Sequence, residues 1–192
     1  MLEYLPGTTL PVTKEAPEDA FASLSPIFAV SGGGLLLSQV TEMTGLGAST
    51  IQNWVKRGWV SSPVNKRYSE VQVSRILLIN LLRPAMRLEK IVRLLRYLNG
   101  SVDSREDDII PEPKLYSLLC AMLFELSDCD KITHESIVTL IESRLEGYEG
   151  PVPDAAERLK TALSIMLMNM AAAMLMQQAE AIFERAVPPD NG

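Results

Sequence analysis

Apolar residues recur at intervals of three and four positions from Ser38 onward, which is the pattern of amphipathic helices packed around a core. In the first such segment we expect Ser38 to cap a short helix and Gly45 to end it about two turns later. Residues 49–52, Ser-Thr-Ile-Gln, have the form of a capping box, so a second helix is predicted to begin at about Ser49. Two short helices joined by the turn at residues 45–48 predict a helix-turn-helix.

The second of these helices has one apolar side and one polar side. Ile51, Trp54 and Val55 have core spacing, so the opposite side consists of hydrogen-bonding or cationic residues. Such a helix can enter the major groove of DNA and offer amide and guanidinium groups to base edges. The residues of this helix that are predicted to contact DNA are Ser49, Thr50, Gln52, Asn53, Lys56 and Arg57.

A small β wing is predicted directly after this helix. Residues 58–60 and 66–68 are separated by a turn that contains Pro63, and we expect them to pair as a hairpin. Lys66, Arg67 and Tyr68 are predicted to contact DNA from this wing, close to the DNA backbone.

Two longer helices are predicted after the wing. Residues 69–72 form a second capping box, which opens a helix that stops at Arg83-Pro84. The next helix closes at Asn99-Gly100 and has a basic side that could touch phosphates. This basic stripe consists of Arg87, Lys90, Arg93 and Arg96.

The C-terminal portion is predicted to be wholly helical. Thr133 is expected to cap one helix and Gly147 to stop it. A final helix is expected to begin after Asp154 and to reach Ala186, on the order of 50 Å at 1.5 Å per residue.

The final helix contains an apolar run over residues 162–176 that needs a partner. A membrane span is disfavoured because the run is shorter than the roughly 20 residues required and is followed at once by Gln177 and Gln178. Burial within the chain, a dimer seam and a Met-lined ligand pocket stay open. The residues predicted for a dimer seam are Leu163, Leu167, Met170 and Met174.

These elements define an all-α protein with a small β wing. Four prolines and the Gly32-Gly33-Gly34 hinge mark residues 1–34 as an N-terminal arm or linker. Residues 35–100 form the winged helix-turn-helix domain, residues 101–112 an acidic linker, and residues 113–192 a helical domain for dimerisation or sensing.

Charge is divided unevenly along the chain. The formal net charge is −6, yet residues 35–99 contain ten basic residues against three acidic ones, a net of +7. A basic block within an acidic protein is typical of a DNA-binding domain joined to a non-binding domain, because only the surface that faces phosphates gains from positive charge. A solvated basic helix face would give the same composition.

Composition argues against an enzyme, a metal site and a cofactor. The one histidine, His134, follows a predicted cap and fits a surface position, so His-based catalysis is not expected. Cys120 and Cys129 are expected to be inert, because no C-x-x-C motif accompanies them. The acidic residues between 103 and 108 fit a solvated linker better than a Mg²⁺ site. Low cysteine usage makes the cytoplasm the default location.

The order of these elements resembles the MerR-type winged-helix regulators. The run from Ser38 to Arg83, extended through residues 97–100 and 107–110, resembles still more a bacterial family catalogued as domain of unknown function 1836, over roughly residues 27–145. The resemblance implies a DNA-binding module with a role in transcription. MerR recognition helices usually have an arginine and a tyrosine where this chain has Gln52 and Trp54, and their wings are longer, so neither base preference nor promoter twisting is implied. The matching segments are Leu36–Val40, Thr44–Leu46, Ser49–Ile51, Arg57–Val60, Pro63, Arg67–Ser69 and Leu88–Ile91.

The sequence therefore predicts a cytoplasmic transcriptional regulator that binds double-stranded DNA sequence-specifically as a homodimer, outside the membrane. One alternative is a protein-interaction adaptor whose winged helix no longer binds DNA. Another is a recombination or architectural accessory factor that bends DNA without controlling a promoter. Whether a small-molecule effector exists is left open.

Overall fold

A computed structural model describes residues 3–12, 19–104, 106, 108–129 and 131–187. Parts of the predicted arm and of the acidic linker, including Asp107, lie outside the described residues. The described chain is mostly helical, with one two-stranded antiparallel sheet, as the fold class predicts. In chain order the elements are α1 (Ser25–Val30), β1 (Leu35–Leu36), α2 (Leu37–Thr44), α3 (Ala48–Lys56), β2 (Arg67–Tyr68), α4 (Glu70–Leu82), α5 (Leu88–Asn99), α6 (Glu112–Ser127), α7 (His134–Arg144) and α8 (Ala155–Ala186).

The two short helices α2 and α3 form where predicted, but their N-terminal caps differ. The backbone N–H of Leu36 donates to Gln39 Oε1 at 2.9 Å, so α2 begins one residue before Ser38 and the predicted Ser38 cap is wrong. Gly45 ends α2 at φ +68°, as predicted. The extended backbone of Gly47 then starts α3 early, which places Ser49 inside the first turn and removes its predicted capping box.

The predicted hairpin is replaced by a different strand pairing. Strand β2 pairs with β1, where Tyr68 lies opposite Leu35, and it does not pair with residues 58–60. The reason is a tight turn in which Asn65 and Lys66 adopt left-handed φ values of +49° and +62°, while Val64 and Arg67 exchange two backbone hydrogen bonds of 2.9 and 3.1 Å. This turn returns the chain to the segment before α2.

Helix α4 is the centre of the molecule. Ser69 caps it, with Gln72 Oε1 accepting from the Ser69 backbone N–H at 2.8 Å, and it ends at Leu82 before Arg83-Pro84, so the predicted capping box and stop are confirmed. Every residue from Gln72 to Leu82 is buried. Helices α2, α5 and α6 surround α4, which explains why it is buried on all sides.

Residues near the N-terminus pack into the C-terminal portion. Phe21, Leu24 and Phe28 are buried, and the Phe21 ring meets the Tyr116 ring edge-on with centroids 6.3 Å apart. The Tyr116 hydroxyl donates to the Pro6 carbonyl at 2.6 Å. One hydrophobic cluster therefore includes residues from the predicted arm, from the 35–100 segment and from helices α6 to α8. The predicted division into domains stays a prediction.

Helix α8 is buried along its first half only. Leu163 and Leu167 are fully buried in their own chain, where α8 packs against α5, α6 and α7. These two side chains are therefore unavailable for the dimer seam predicted from them, and Met170 and Met174 are half-buried. By length and hydropathy this helix could cross a membrane, a property that core helices of water-soluble proteins share.

Candidate nucleic-acid interface

The outer face of α3 is a continuous polar stripe. Ser49, Gln52, Asn53 and Lys56 follow one another at intervals of three, one and three residues, so they share one side of the helix, and all four are exposed. Ile51 and Trp54 lie on the opposite side and are buried, which fixes the orientation of the stripe. Thr50 is half-buried at its edge. The stripe offers a hydroxyl, two amides and an ammonium group, which are groups that hydrogen-bond to base edges.

Exposed cations continue from the C-terminal end of α3. The guanidinium carbon of Arg57 lies 5.0 Å from the centre of the Trp59 ring, in a cation–π contact. Arg96 of α5 approaches the same loop, with its Nη2 atom 3.4 Å from the Gly58 carbonyl oxygen. Arg57 and Arg96 therefore both contact the loop that follows α3.

The turn before β2 places its three predicted DNA contacts in different environments. Lys66 is exposed at the turn. Arg67 is exposed as well, but its Nη1 atom donates to the carbonyls of Ser31 and Gly34 at 2.8 and 2.9 Å, so it fastens the glycine-rich loop to the sheet. Tyr68 is buried, and burial raises the pKa of its hydroxyl. Tyr68 is a core residue, so its side chain is not exposed for the contact with DNA that the sequence predicts.

The predicted basic stripe of α5 divides into two parts. Arg87, Lys90, Arg93 and Arg96 are all exposed. Lys90 and Arg93 border a cavity of about 480 Å³ between α5 and α8, which we call the α5–α8 groove. Arg96 instead faces the loop after α3. Arg96 therefore lies near the end of α3, whereas Lys90 and Arg93 lie at the groove.

A buried ion pair connects the loop after α3 to the rest of the core. Arg75 of α4 is 3% exposed, its Nε atom donates to the Trp59 carbonyl at 2.6 Å, and its Nη1 atom pairs with Glu112 at the start of α6. Arg75 is one of the ten basic residues between positions 35 and 99 whose charge favours DNA binding in the sequence. Its position in α4, two residues after Val73 and directly before the apolar run Ile76–Ile79, is the signal that could have identified it as buried.

The two thiols lie in opposite environments. Burial raises the pKa of Cys120 to about 12, although the neighbouring Tyr116 hydroxyl lowers it in part, and Cys129 is exposed. Among the described residues no group of three or more His, Cys, Asp or Glu side chains is placed to hold a metal ion.

Fold and site together define a helical protein with an exposed polar face on α3, exposed cations at and near the C-terminal end of that helix, and a tight turn before β2. Residues 33–119 match the family described as Domain of unknown function (DUF1836), which confirms that part of the expected resemblance. The "Uncharacterized protein YkrK" of Bacillus subtilis (strain 168) is 31% identical over 114 residues, which cover 57% of this chain. The matched segment spans 46% of that relative, less than half its length.

No solved structure matches the chain significantly. The family and the relative give the MerR-type resemblance no support, so that resemblance stays a prediction.

Proposed function

We propose that this protein is a sequence-specific DNA-binding regulator of transcription that places α3 in the major groove as a winged helix-turn-helix and binds DNA as a dimer. The observation that carries the proposal is the exposed stripe of Ser49, Gln52, Asn53 and Lys56 on a helix anchored by a buried tryptophan. A stripe of amide and cationic groups on a rigid helix suits base-edge readout. The proposal assigns the chain no catalytic role and places it in the cytoplasm.

The exposed cations around the stripe supply a separate, sequence-independent component of binding. Arg57, Arg96 and Lys66 lie on the elements that follow or adjoin α3, where phosphates would flank a helix seated in the groove. Each phosphate that such a residue neutralises releases counterions, which makes the affinity fall as salt rises.

Selection from a random pool of double-stranded DNA tests the proposal and supplies the operator. We expect a recurring motif to be enriched by the purified full chain. Asn53→Ala should then reduce discrimination between motif and random DNA by about 1–3 kcal/mol, because one base-edge contact is lost. Lys66→Asn is the matched variant: it removes a phosphate-directed charge, and asparagine tolerates the left-handed φ of this position.

Lys66→Asn should weaken binding to motif and to random DNA alike and reduce the salt slope by about 1. Equal losses for both DNAs in Asn53→Ala would contradict the placement of α3 in the groove. A chain that enriches no motif would favour the adaptor function over the regulator.

A further inference from the structure

We propose that the exposed side of α8 pairs in antiparallel fashion with α8 of a second copy, and that the distal end of each helix fills the α5–α8 groove of the other copy. This inference deepens the dimeric binding proposed above by naming the partner surface. It rests on two features that the folded chain leaves uncovered, the distal half of α8 and the groove.

The uncovered side of α8 has the spacing of a coiled-coil seam. Its positions alternate by three and four residues, which is the heptad pattern that pairs helices. All are exposed, and Leu175 and Ile182 are 60% and 61% exposed. Leu163 and Met166 point instead into the core of their own chain. The seam consists of Ile165, Met168, Ala172, Leu175, Ala179, Ile182 and Ala186.

The sizes of the seam residues favour the antiparallel arrangement. When the two helices cross between residues 173 and 174, Ala172 faces the partner's Leu175, Met168 faces the partner's Ala179, and Ile165 faces the partner's Ile182. Two of these layers match a large side chain with a small one, which fills the space evenly. A parallel pairing in register would place alanine against alanine and leucine against leucine, which leaves voids beside crowded layers.

The same register brings the distal end of α8 to the groove. The groove is lined by apolar side chains of α5 and α8, among them Leu94, Tyr97 and Ile165, and by Asn169 at its edge. The partner's Phe183, which is 54% exposed in the single chain, lies level with Ser164 in this register, next to Ile165 of the groove lining. A parallel pair would hold Phe183 about 27 Å from Ile165 along the helix, at 1.5 Å per residue.

Charge supports the same occupant. Lys90 and Arg93 border the groove on α5. Glu180 and Glu184 flank Phe183 on the distal end of α8 and are exposed. The distal end of α8 also contains the exposed Arg185, so its net charge over residues 177–187 is −1. A helix end with an apolar face and a net negative charge therefore meets an apolar groove with a cationic border, and both belong to one chain.

Sedimentation velocity at 10 μM chain tests the pairing. We expect the wild type to be a dimer and Leu175→Glu to be a monomer, with a dissociation constant at least a hundredfold higher. Gln177→Glu adds the same charge on the polar side of α8 and should stay dimeric. Because Leu175 is exposed in the single chain, both variants should keep the wild-type circular dichroism. A monomeric wild type, free or bound to phosphatidylcholine vesicles, would overturn the proposal.

Cysteine crosslinking tests the direction of the pair in a Cys129→Ser background. A mixture of Met168→Cys and Ala179→Cys chains should form a disulfide-linked dimer, whereas neither variant should crosslink alone, because its own two copies lie too far apart. Crosslinking of either variant alone would indicate a parallel pair and overturn the proposed register.

Charge reversal tests the groove. Lys90→Glu combined with Arg93→Glu should weaken dimerisation about tenfold, and adding Glu180→Arg with Glu184→Arg should restore it. A dimer that is indifferent to the first pair of changes would overturn the groove contact. These measurements contain no DNA, so a wild-type dimer that selects no DNA motif would refute the proposed function while leaving the dimer intact.

Discussion

Glu112→Gln should destabilise the protein far more than the same change at an exposed ion pair. The Arg75 and Glu112 side chains are 4% and 5% exposed, and glutamine keeps the shape of the glutamate while removing its charge. The Arg75 guanidinium then stays buried without a compensating carboxylate. Removal of one partner from a buried pair costs about 3–5 kcal/mol, a large part of the roughly 5–15 kcal/mol that stabilises a typical native protein.

Urea unfolding and thermal melting, both followed by circular dichroism, measure this loss. For a chain of this length, about 3–5 kcal/mol corresponds to a fall in Tm of about 6–20 °C. The control is Glu125→Gln, which breaks the exposed pair between Glu125 and Arg144. Exposed ion pairs contribute about 0–1 kcal/mol, so this variant should melt close to the wild type.

A double variant separates lost pairing from stranded charge. Arg75→Met combined with Glu112→Leu leaves neither charge buried and should recover most of the stability that Glu112→Gln loses. Recovery should fall short by about 1 kcal/mol, because the Arg75 Nε hydrogen bond to the Trp59 carbonyl is lost as well. If Glu112→Gln melts together with Glu125→Gln, the guanidinium has access to water or another anion, and the reasoning from burial fails.

Two further predictions concern side chains whose burial differs. Native protein at pH 8 should react with Ellman's reagent at Cys129 alone, because burial raises the pKa of the Cys120 thiol to about 12. Both thiols should react in 6 M guanidinium chloride, and two reactive thiols in the native state would contradict the burial of Cys120. Trp54→Ala should lower the free energy of unfolding by roughly 3–5 kcal/mol, since the indole is buried. This loss should be larger than that of Trp59→Ala, whose ring is half-buried. Equal shifts in the urea midpoint of the two variants would place Trp54 outside the core.

Local chemistry made several helix boundaries predictable. Ser69 and Thr133 each accept a hydrogen bond from a backbone N–H three residues later, and Gly45 adopts the left-handed conformation that ends a helix. These interactions involve residues within one turn of each other, so the sequence contains all the partners. The Ser49 box failed because Gly47 had already started the helix, which is a competition between two neighbouring caps.

Long-range pairing was beyond the sequence pattern. The partner of Tyr68 is Leu35, more than thirty residues earlier, and a tight turn at residues 64–67 directs the chain there. The burial of Tyr68 follows from that pairing. Likewise, Arg75 on α4 pairs with Glu112 on α6, 37 residues later, and no periodicity within α4 specifies which residue neutralises its charge. The outer face of α3 was predictable because its orientation depends only on the apolar residues of the same helix.

The dimer seam shows that length and composition predict a helix more readily than they predict which of its sides makes each contact. Helix α8 is apolar on more than one side: Leu163 and Leu167 satisfy the core of their own chain, while Leu175 and Ile182 lie on the exposed stripe. From the sequence, burial and dimerisation are competing uses of one apolar run. The two uses are compatible once they are assigned to different sides of the helix. Substitutions at Leu163 should therefore unfold the chain, whereas substitutions at Leu175 should separate folded copies, and a folded Leu163→Glu monomer would contradict this assignment.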